Sequence, residues 1–565
     1  MAKRGRKIIG ARYYNADDAY DSSEPHSPRD SIGHGSHTAS TAAGREVQAS
    51  YFGLVSGTAR GGVPNARIAV YKVCWLGGCS SADILAAFDD AIVDGVDIIS
   101  TSLGSKYPVP YPKDPIAIGS FRHENRYIDL KFGRKQWAFT DKCSQLCSLD
   151  STVAASTIDR RFVAKAVLGN GQGFAINNFG LNGKSYPLIW EGDAANYSKG
   201  INSELASECL PETLDADKIK GKIVYYSSFS DGSDIKLAGA VGTIIVYFDT
   251  DTMFSYASPV TQLTIEHGQK VLNYIKLTKN PIATILVYEP NTDKDAMAPS
   301  ISSFSSRGPN PVTPDILKPN LTASGVDILA AWSPSAPPSE DFYPDTRSIK
   351  SQGLQCHALM LVVLLAMLRL LIQIAHVLDS KKHEDLEFAY GSGHINPLKA
   401  VNPSLIFDAS EADYINFLCK QGYNNSILNI ITGDNSSCGS TKPGKAWDLN
   451  YPSFSLQLED GRAINAEFPR TVTNVGLTNS TYTISSYTPS DAITISVSPT
   501  TLSFSSIGEE KSYIVKVTGP RTSNQPITSG SVVLSDGSHV VRTPLVVYTY
   551  FPRSISALPL GLRKN

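Results

Sequence analysis

The fold of this chain is decided by a ten-residue stretch, Ser31-Ile32-Gly33-His34-Gly35-Ser36-His37-Thr38-Ala39-Ser40. A histidine lies there between two glycines, and glycine lets backbone approach closely where a side chain would block it. The small residues that continue to Ala43 predict a thin helix that can be buried against a sheet. The stretch therefore predicts the imidazole of His34 at a helix start, facing a cleft. The alternative is a packed or surface histidine in a glycine-rich turn, because short motifs also arise by chance.

The residues that follow predict a strand, a helix and a second strand. Residues 66–73 have the composition of a buried strand, and residues 81–94 carry an apolar helical face that Ser81 can cap and Gly95 ends. Residues 96–104 are the next predicted strand. This order implies a parallel sheet with a right-handed crossover.

The chain of 565 residues is too long for one hydrophobic core and predicts three or four domains. Residues 182–290 contain short strands separated by polar turns, which indicates an inserted β-rich unit. The α/β pattern returns near Ala298. Alternating strands and turns from about residue 445 to residue 551 fit a β-sandwich.

The overall composition is that of an ordinary soluble protein. The net charge is −2, with 18% charged residues, so no basic patch predicts a nucleic-acid partner. The longest apolar run, residues 359–371, is interrupted by Arg369 and is too short for a membrane span. We find no signal peptide at the basic start of the chain as written, and no readable set of metal ligands.

Cysteines and glycosylation sequons point to an oxidising compartment. Cys74 lies close to Cys79, and Cys419 and Cys438 bracket a polar loop, so both pairs are candidate disulfides. Candidate glycosylation sites occur at Asn196, Asn320, Asn424, Asn435 and Asn479. Together these features favour a secreted protein.

Five motifs, taken together and in order, resemble those of plant subtilisin-like serine proteases of the cucumisin-like group. They are His34-Gly35-Ser36-His37-Thr38-Ala39-Ser40, Gly57-Thr58-Ala59-Arg60-Gly61-Gly62-Val63-Pro64, Ser102-Leu103-Gly104, Ser305-Ser306-Arg307-Gly308-Pro309 and Gly391-Ser392-Gly393-His394-Ile395-Asn396-Pro397. The resemblance implies a subtilisin-like α/β catalytic domain with a parallel sheet in residues 1–181 and 291–444. It also implies a protease-associated insert in residues 182–290 and a fibronectin-III-like β-sandwich in residues 445–565.

The resemblance also implies a chemistry, namely peptide-bond hydrolysis through an acyl-enzyme. His34 matches the general base, His37 a structural histidine, and Ser102, Leu103 and Gly104 the segment that pairs with substrate backbone. The implied partners are polypeptide substrates, with no nucleic acid, membrane or cofactor, and the implied location is extracellular. The oligomeric state, the cleavage preference and the physiological substrate are left open.

The chain departs from the family at its other catalytic groups. The orienting aspartate is expected on a strand upstream of this chain's start, and loop or capping roles are the better interpretation of Asp17, Asp18, Asp21 and Asp30. The oxyanion motif Ser-Ala-Gly-Asn is absent between residues 121 and 153. The nucleophile motif Gly-Thr-Ser-Met-Ser-Cys-Pro-His is absent between residues 349 and 388. Of four catalytic groups, only His34 is visible.

Both missing motifs can be encoded in a shifted reading frame, in which each codon combines bases from the codons of two neighbouring residues. Residues 352–360 then permit the complete nucleophile motif, with its serine straddling Leu354 and Gln355. Residues 123–138, read in the other shifted frame, permit Ser-Ala-Gly-Asn, with the asparagine straddling Lys135 and Gln136. The hypothesis is that residues about 122–150 and 352–386 are translated out of frame.

Three functions are therefore open. The first is an active serine endopeptidase, and the second is a non-catalytic protein that binds peptides or partners through the insert or the sandwich. The third is a non-functional product whose catalytic part folds poorly, since the shifted windows replace core elements of a marginally stable domain. We expect the family scaffold, with this chain inactive as written.

Overall fold

The structure is a computed structural model. It describes residues 7–549 except 19–23, 52–53, 106, 125–127, 133–150, 160–163, 177–180, 182, 208–211, 228–237, 247–255, 257, 287–297, 337–384, 401, 441–443, 460 and 522–526. The shifted windows and the apolar run at residues 359–371 fall largely or wholly outside this set. No helix among the described residues has the length and apolar character to cross a bilayer.

The first part of the chain is an α/β unit. Its elements are β1 (Ile8–Tyr13), α1 (His34–Ala43), β2 (Val47–Tyr51), β3 (Leu54–Ala59), β4 (Ile68–Lys72), β5 (Cys74–Trp75), β6 (Gly78–Cys79), α2 (Ser81–Asp94), β7 (Ile98–Thr101), α3 (Pro115–Glu124), β8 (Ile128–Phe132) and β9 (Ser151–Ser156). The predicted helices at residues 34–43 and 81–94 are confirmed. The residue at the N-cap of α2 is Ser80 rather than the predicted Ser81, which is the first helical residue.

A mixed sheet forms the inserted unit. Its elements are β10 (Ala164–Leu168), β11 (Gly173–Ile176), β12 (Tyr186–Trp190), α4 (Glu191–Ala194), α5 (Ser203–Ala206), α6 (Ala216–Ile219), β13 (Ile223–Tyr226), β14 (Gly242–Val246), β15 (Val260–Leu263), α7 (Ile265–Leu277) and β16 (Ile282–Leu286). The strand order is β11-β10-β16-β12-β13-β14-β15. Because β10 and β11 belong to this sheet, the unit begins before the predicted boundary at residue 182.

The chain then returns to the α/β unit and adds helices. The elements are β17 (Leu321–Ser324), α8 (Glu387–Tyr390), α9 (Pro397–Ala400), β18 (Leu405–Ile406), α10 (Glu411–Lys420) and α11 (Asn425–Thr432). Strand β17 pairs in parallel with β9, which gives the order β17-β9-β8-β7 in an all-parallel sheet. Strands β1 and β4 form a separate parallel pair. The strands are thus parallel as predicted, and among the described residues they lie in two groups.

The C-terminal part is a sandwich of two sheets. Its remaining strands are β19 (Phe454–Gln457), β20 (Ala463–Asn474), β21 (Ser480–Tyr487), β22 (Thr494–Ser498), β23 (Thr501–Phe504), β24 (Glu510–Arg521), β25 (Thr528–Ser535) and β26 (Val540–Tyr548). The sheet orders are β18-β20-β24-β22 and β19-β26-β25-β21-β23. Alternate residues of β20 are buried, as expected of a strand with one face on a core. The predicted sandwich is confirmed.

Buried polar contacts join the sandwich to the α/β unit. Lys318 is fully buried, and its Nζ donates to Asn320 Oδ1 at 2.8 Å and to Tyr451 Oη at 3.1 Å. Glu387, 2% exposed, accepts a hydrogen bond from Ser529 Oγ, and burial raises its pKa. Buried polar groups are costly unless they are hydrogen-bonded, so these contacts hold the two parts in one arrangement.

Both candidate cysteine pairs are bonded. Cys74–Cys79 closes the two-residue strands β5 and β6, and Cys419–Cys438 ties the end of α10 to the loop after α11. The sequence separations are 5 and 19 residues. Each bond therefore closes a local loop.

Candidate active site

His34 is the first residue of α1, and Gly33 determines how the chain enters that helix. Gly33 has a φ of 109°, in the left-handed region that favours glycine. A Cβ atom at Gly33 would lie 2.1 Å from the Trp332 ring, which leaves no room for a side chain. The glycine before the histidine is thus required by both backbone conformation and packing, and the half-buried imidazole of His34 begins the helix as predicted.

Asp30 is the carboxylate nearest to His34 in the sequence, and it caps this loop. Its Oδ1 accepts hydrogen bonds from the backbone N–H groups of Ile32 at 3.0 Å and Gly33 at 2.8 Å. Its Oδ2 accepts from Ser36 N at 2.7 Å. Burial alone would raise the pKa of Asp30, but these backbone donors outweigh burial and hold the pKa below its ordinary value. This geometry agrees with the capping role expected from the sequence.

His37 is a structural residue of α1. It is 2% exposed, and its Nε2 lies 3.2 Å from the carbonyl oxygen of Ile328. The Trp332 ring lies edge-on to it, with centroids 6.3 Å apart. The backbone carbonyl of His37 accepts a hydrogen bond from Thr41 Oγ1 at 2.8 Å. The second histidine of the motif therefore joins α1 to a distant segment of the chain.

That segment, residues 328–333, follows the carboxyl end of β17. Ala331 N donates to Ser40 Oγ at 2.9 Å, and Ser333 Oγ donates to the carbonyl oxygen of Asp30 at 2.5 Å. These contacts hold the start of α1 at the side of the sheet where β17 ends. In parallel sheets the carboxyl ends of the strands form the edge where sites are built. Sequence reasoning missed Trp332 and Ser333, because nothing near them in the chain indicates a contact with α1.

A second glycine-rich segment, residues 61–63, supports the other end of α1. The N–H groups of Gly61, Gly62 and Val63 donate to the carbonyls of Gly44, Thr41 and Ala42, each at 2.9 Å. These carbonyls belong to the last turn of the helix and the residue after it, where intrahelical partners run out. A Cβ atom on Gly61 would lie 2.4 Å from Gly44 N, so this motif position also requires glycine.

Glu24 is a buried acid beside the histidine loop that sequence reasoning did not single out. It is 5% exposed, and its carboxylate accepts from Ser31 Oγ at 2.8 Å and from Leu76 N at 2.6 Å. Lys72 Nζ lies 3.8 Å from the same carboxylate and 3.9 Å from the Trp75 ring centroid. Glu24 therefore fixes the loop that leads into α1 against β4 and β5.

The predicted substrate segment, residues 102–104, directly follows β7. All three residues are half-buried, and Leu103 packs against the cluster that contains Ile84 and Phe88 of α2. The segment thus starts at the carboxyl end of a strand in the parallel sheet. Its pairing with a substrate backbone stays a prediction.

The motifs at residues 305–309 and 391–397 support the parallel sheet rather than His34. Residues 391–397 run beside β17, where Thr322 N donates to Gly393 O and Ile395 N donates to Thr322 O. His394 Nε2 lies 3.5 Å from Ser324 Oγ. Arg307 Nη1 donates to the carbonyl of Ser305 at 2.7 Å, and its Nε pairs with Asp385 at 3.1 Å. These motifs support strand β17, whose carboxyl end leads to residues 328–333.

One predicted glycosylation site is corrected by the structure. Asn320 is 3% exposed, and its Oδ1 accepts hydrogen bonds from Thr152 N and Lys318 Nζ, both at 2.8 Å. A buried amide engaged in this way offers no access for a glycan. Asn424, Asn435 and Asn479 are exposed and Asn196 is half-buried, so these four stay candidates.

The missing catalytic groups fall mostly outside the described residues. The predicted nucleophile window, residues 352–386, is described only at residues 385–386, and Asp21 is also outside. Asp18 adopts a φ of 50° in a turn in which its N–H donates to Asn15 O. In the part of the chain that the structure describes, no three His, Cys, Asp or Glu side chains are grouped to hold a metal ion.

Substitution of Asp30 by asparagine is expected to weaken α1 in a pH-dependent way. The pKa of Asp30 is lower in the folded protein than in the unfolded chain. Its carboxylate therefore stabilises the folded state above the unfolded pKa of about 3.9, and this stabilisation is lost as pH falls through the folded pKa. The variant should lose about 1 kcal/mol at pH 7, the usual effect of a lost cap. Urea unfolding at pH 7 and at pH 3 measures this. The difference between the two proteins should be smaller at pH 3 than at pH 7, and a difference that does not change with pH would contradict the capping role.

Comparisons with known proteins agree with this geometry. The subtilase family matches residues 7–351, and the fibronectin type-III domain matches residues 448–547. "Subtilisin-like protease SBT4.6" of Arabidopsis thaliana is 40% identical over 572 residues, which cover 96% of this chain and 76% of that protein. "Subtilisin-like protease SBT4.3" of the same plant is 40% identical over 97% of this chain and 76% of its own length. Among solved structures, the FixG-related protein from Vibrio parahaemolyticus is 14% identical, and the match covers 16% of this chain and 82% of that protein with a TM-score of 0.14.

Proposed function

The chain belongs to the subtilase family of serine proteases, and from that premise we propose that it keeps the scaffold of a peptide-bond hydrolase but has lost the hydrolysis. The observation that carries the proposal is the absence of the nucleophile motif from the sequence, although residues 352–360 permit it in another frame. The polypeptide substrates, the extracellular location and the protease-associated character of the insert are parts of the same proposal.

The chemistry explains why one retained histidine does not suffice. A serine hydroxyl becomes a nucleophile when a histidine removes its proton, and an aspartate must hold that histidine in the right orientation. His34, the first residue of α1, matches the general base of the family motif. Asp30, the nearest carboxylate in the sequence, is engaged by three backbone N–H groups instead. Without the serine of the motif, no acyl-enzyme forms.

Strand β8 lies inside the first shifted window. In the shifted frame, residues 128–132 encode the part of the family sequence just before the missing Ser-Ala-Gly-Asn, which the family carries at the end of a core strand. The backbone of this chain also forms a strand at Ile128–Phe132, between β7 and β9. Because this strand is formed by the residues as translated, it does not decide the reading frame, which is tested at the level of the transcript.

A fluorophosphonate probe tests the loss of hydrolysis directly. We expect no labelling of this chain, because the probe reacts only with an activated serine, and clear labelling of the Arabidopsis relative SBT4.6 as a positive control. The variant His34→Ala is the matched negative control. Labelling of this chain at any serine, abolished by His34→Ala, would show an intact catalytic centre and overturn the proposal.

Sequencing of the transcript tests the cause separately. We expect the message to differ from those of intact relatives by an insertion or deletion at each end of the two windows, or by a mistaken exon boundary. A message that encodes residues 122–150 and 352–386 without any such difference would refute the reading-frame hypothesis, whatever the activity of the protein.

A second candidate function is non-catalytic binding of peptides or partner proteins. The observation that favours it is that the described residues of the insert sheet and of the C-terminal sandwich each form a buried hydrophobic core. Affinity capture with the full chain, followed by mass spectrometry, is expected to recover one partner reproducibly. The matched test repeats the capture after cleavage of the insert, which should release that partner if the insert binds it.

A further inference from the structure

The disulfide Cys74–Cys79 lies on a short hairpin at the surface. Its two cysteines are directly opposite each other in the antiparallel pair β5 and β6, and Trp75 is opposite Gly78. Both residues of β6 are exposed, and a Cβ atom added at Gly77 or Gly78 would meet no atom within 4 Å. Open space therefore surrounds the turn of this hairpin, and a small thiol can approach Cys79 from solvent.

The two halves of the hairpin are held unequally by the rest of the protein. Cys74 packs against the hydrophobic cluster that α2 forms with its neighbours. Trp75 is 6% exposed, and its Nε1 donates to the carbonyl oxygen of Tyr14 at 2.8 Å. Leu76, by contrast, is 57% exposed, and the residues that follow it in the hairpin are exposed as well. The position of residues 76–79 therefore depends on the disulfide more than the position of Trp75 does.

A backbone hydrogen bond connects this exposed half of the hairpin to the loop that leads into α1. Leu76 N donates to Glu24 Oε2 at 2.6 Å, and Ser31 Oγ donates to Glu24 Oε1 at 2.8 Å. Glu24 is buried, and Lys72 Nζ lies 3.8 Å from the same carboxylate. A buried carboxylate that loses a donor is left with an uncompensated desolvation penalty. Withdrawal of Leu76 N therefore destabilises the present position of Glu24, and with it that of Ser31 in the loop before His34.

The disulfide Cys419–Cys438 provides a contrast within the same chain. Both of its cysteines are half-buried, and both pack against the hydrophobic cluster that contains Phe417 and Leu428. Exposed disulfides are the ones that exchange readily with thiols, whereas disulfides packed within a structure resist reduction. The hairpin bond is therefore the more accessible of these two disulfides.

We propose that Cys74–Cys79 is a thiol-exchange site, and that its reduction by a dithiol releases residues 76–79 and thereby loosens the loop that carries His34. The disulfide is the point of entry, and the hydrogen bond from Leu76 N to Glu24 transmits the change. The proposal rests on these contacts and is independent of whether the chain hydrolyses peptides.

The reduction is an ordinary two-step exchange. A thiolate of the dithiol attacks the exposed sulfur of Cys79, the S–S bond breaks, and Cys74 leaves as a thiolate that is then protonated. The second thiolate of the reductant attacks the mixed disulfide, which releases Cys79 and closes the reductant into a cyclic disulfide. Two electrons and two protons thus pass from the dithiol to the two cysteines, and no other reactant is needed.

The first experiment measures which disulfide is reduced first. Free thiols of the full chain are blocked with N-ethylmaleimide, the protein is equilibrated with increasing dithiothreitol, and new thiols are alkylated with iodoacetamide and quantified by mass spectrometry. At the dithiothreitol concentration that reduces half of Cys74–Cys79, we expect about a tenth or less of Cys419–Cys438 to be reduced. Equal reduction of the two bonds, or earlier reduction of Cys419–Cys438, would overturn the proposal.

The second experiment measures whether reduction reaches the loop before α1. When dithiothreitol has reduced Cys74–Cys79 alone, amide hydrogen exchange should become about tenfold faster in residues 76–79, faster also in residues 31–37, and unchanged in β24. Removal of the reductant and reoxidation should restore the original rates. Unaltered exchange in residues 31–37 would make the bond a local clamp and refute the proposal, and a change that reoxidation does not reverse would mean unfolding instead of a switch.

Two matched variants separate this disulfide from the other one. The double substitution Cys74→Ser with Cys79→Ser should reproduce the faster exchange of residues 31–37 without any reductant. The double substitution Cys419→Ser with Cys438→Ser should leave those residues unchanged. An equal effect of both variants on residues 31–37 would mean a general loss of stability and would contradict the proposal, and the reductant titration of the unsubstituted chain decides the matter if a variant does not fold.

Discussion

Arg470→Met is expected to lower the free energy of unfolding of the C-terminal sandwich by about 3–5 kcal/mol, the range for removing one partner of a buried charged network. Arg470 is 3% exposed, and burial lowers its pKa to about 10, so it stays charged at neutral pH. Its guanidinium donates to the carbonyls of Tyr451 at 2.8 Å, Ser453 at 2.9 Å, Trp447 at 3.1 Å and Pro469 at 2.7 Å. The guanidinium Cζ lies 4.6 Å from the Phe454 ring centroid. Methionine keeps an unbranched apolar side chain at this position but leaves these carbonyls without their donor.

Hydrogen exchange of β20 measures this loss, because that strand carries Arg470 and lies in the sandwich core. The matched control is Arg462→Met, since the Arg462 side chain is 71% exposed and forms a surface ion pair with Glu459. An exposed ion pair contributes less than about 1 kcal/mol, so the control should change little. Equal effects of the two substitutions would mean that the buried hydrogen bonds of Arg470 do not stabilise the sandwich.

Gly33→Ala is expected to destabilise α1 by about 2–5 kcal/mol, from backbone strain and overpacking together. Alanine disfavours the φ of 109° found at Gly33, and its Cβ would lie 2.1 Å from the Trp332 ring. Relief of the clash requires Trp332 to move, and with it residues 328–333, which bind His37, Ser40 and Asp30. Hydrogen exchange of residues 34–43 measures the effect.

Gly95→Ala is the control that separates strain from clash. Gly95 also has a positive φ, 74°, but no atom lies within 4 Å of the position of an added Cβ. This substitution should therefore lower the free energy of unfolding through backbone strain alone, by about 1–2 kcal/mol. If Gly33→Ala is no more destabilising than Gly95→Ala, the packing of Trp332 against Gly33 does not limit which residue this position accepts.

Sequence reasoning was most accurate where the signal is local. The helix that begins at His34, the helix that ends before Gly95 and the alternating strands of the sandwich follow from residue spacing along a few turns or strands. The family membership that the motifs indicated is confirmed by the matches over residues 7–351 and 448–547. Burial was predicted less well, since residues 66–73 were expected to form a buried strand and β4 is only half-buried.

The amino-acid sequence indicated the subtilase scaffold, the place of His34 at a helix start and the two candidate disulfides, because each signal comes from residues close together in the chain. Only the tertiary structure decided what holds that helix. His37 and Ile328 are 291 residues apart, and nothing along the chain indicates that a segment after β17 packs on Gly33. The burial of Asn320 was decided in the same way. Such contacts depend on which segments the fold brings together, and residue spacing carries no information about them.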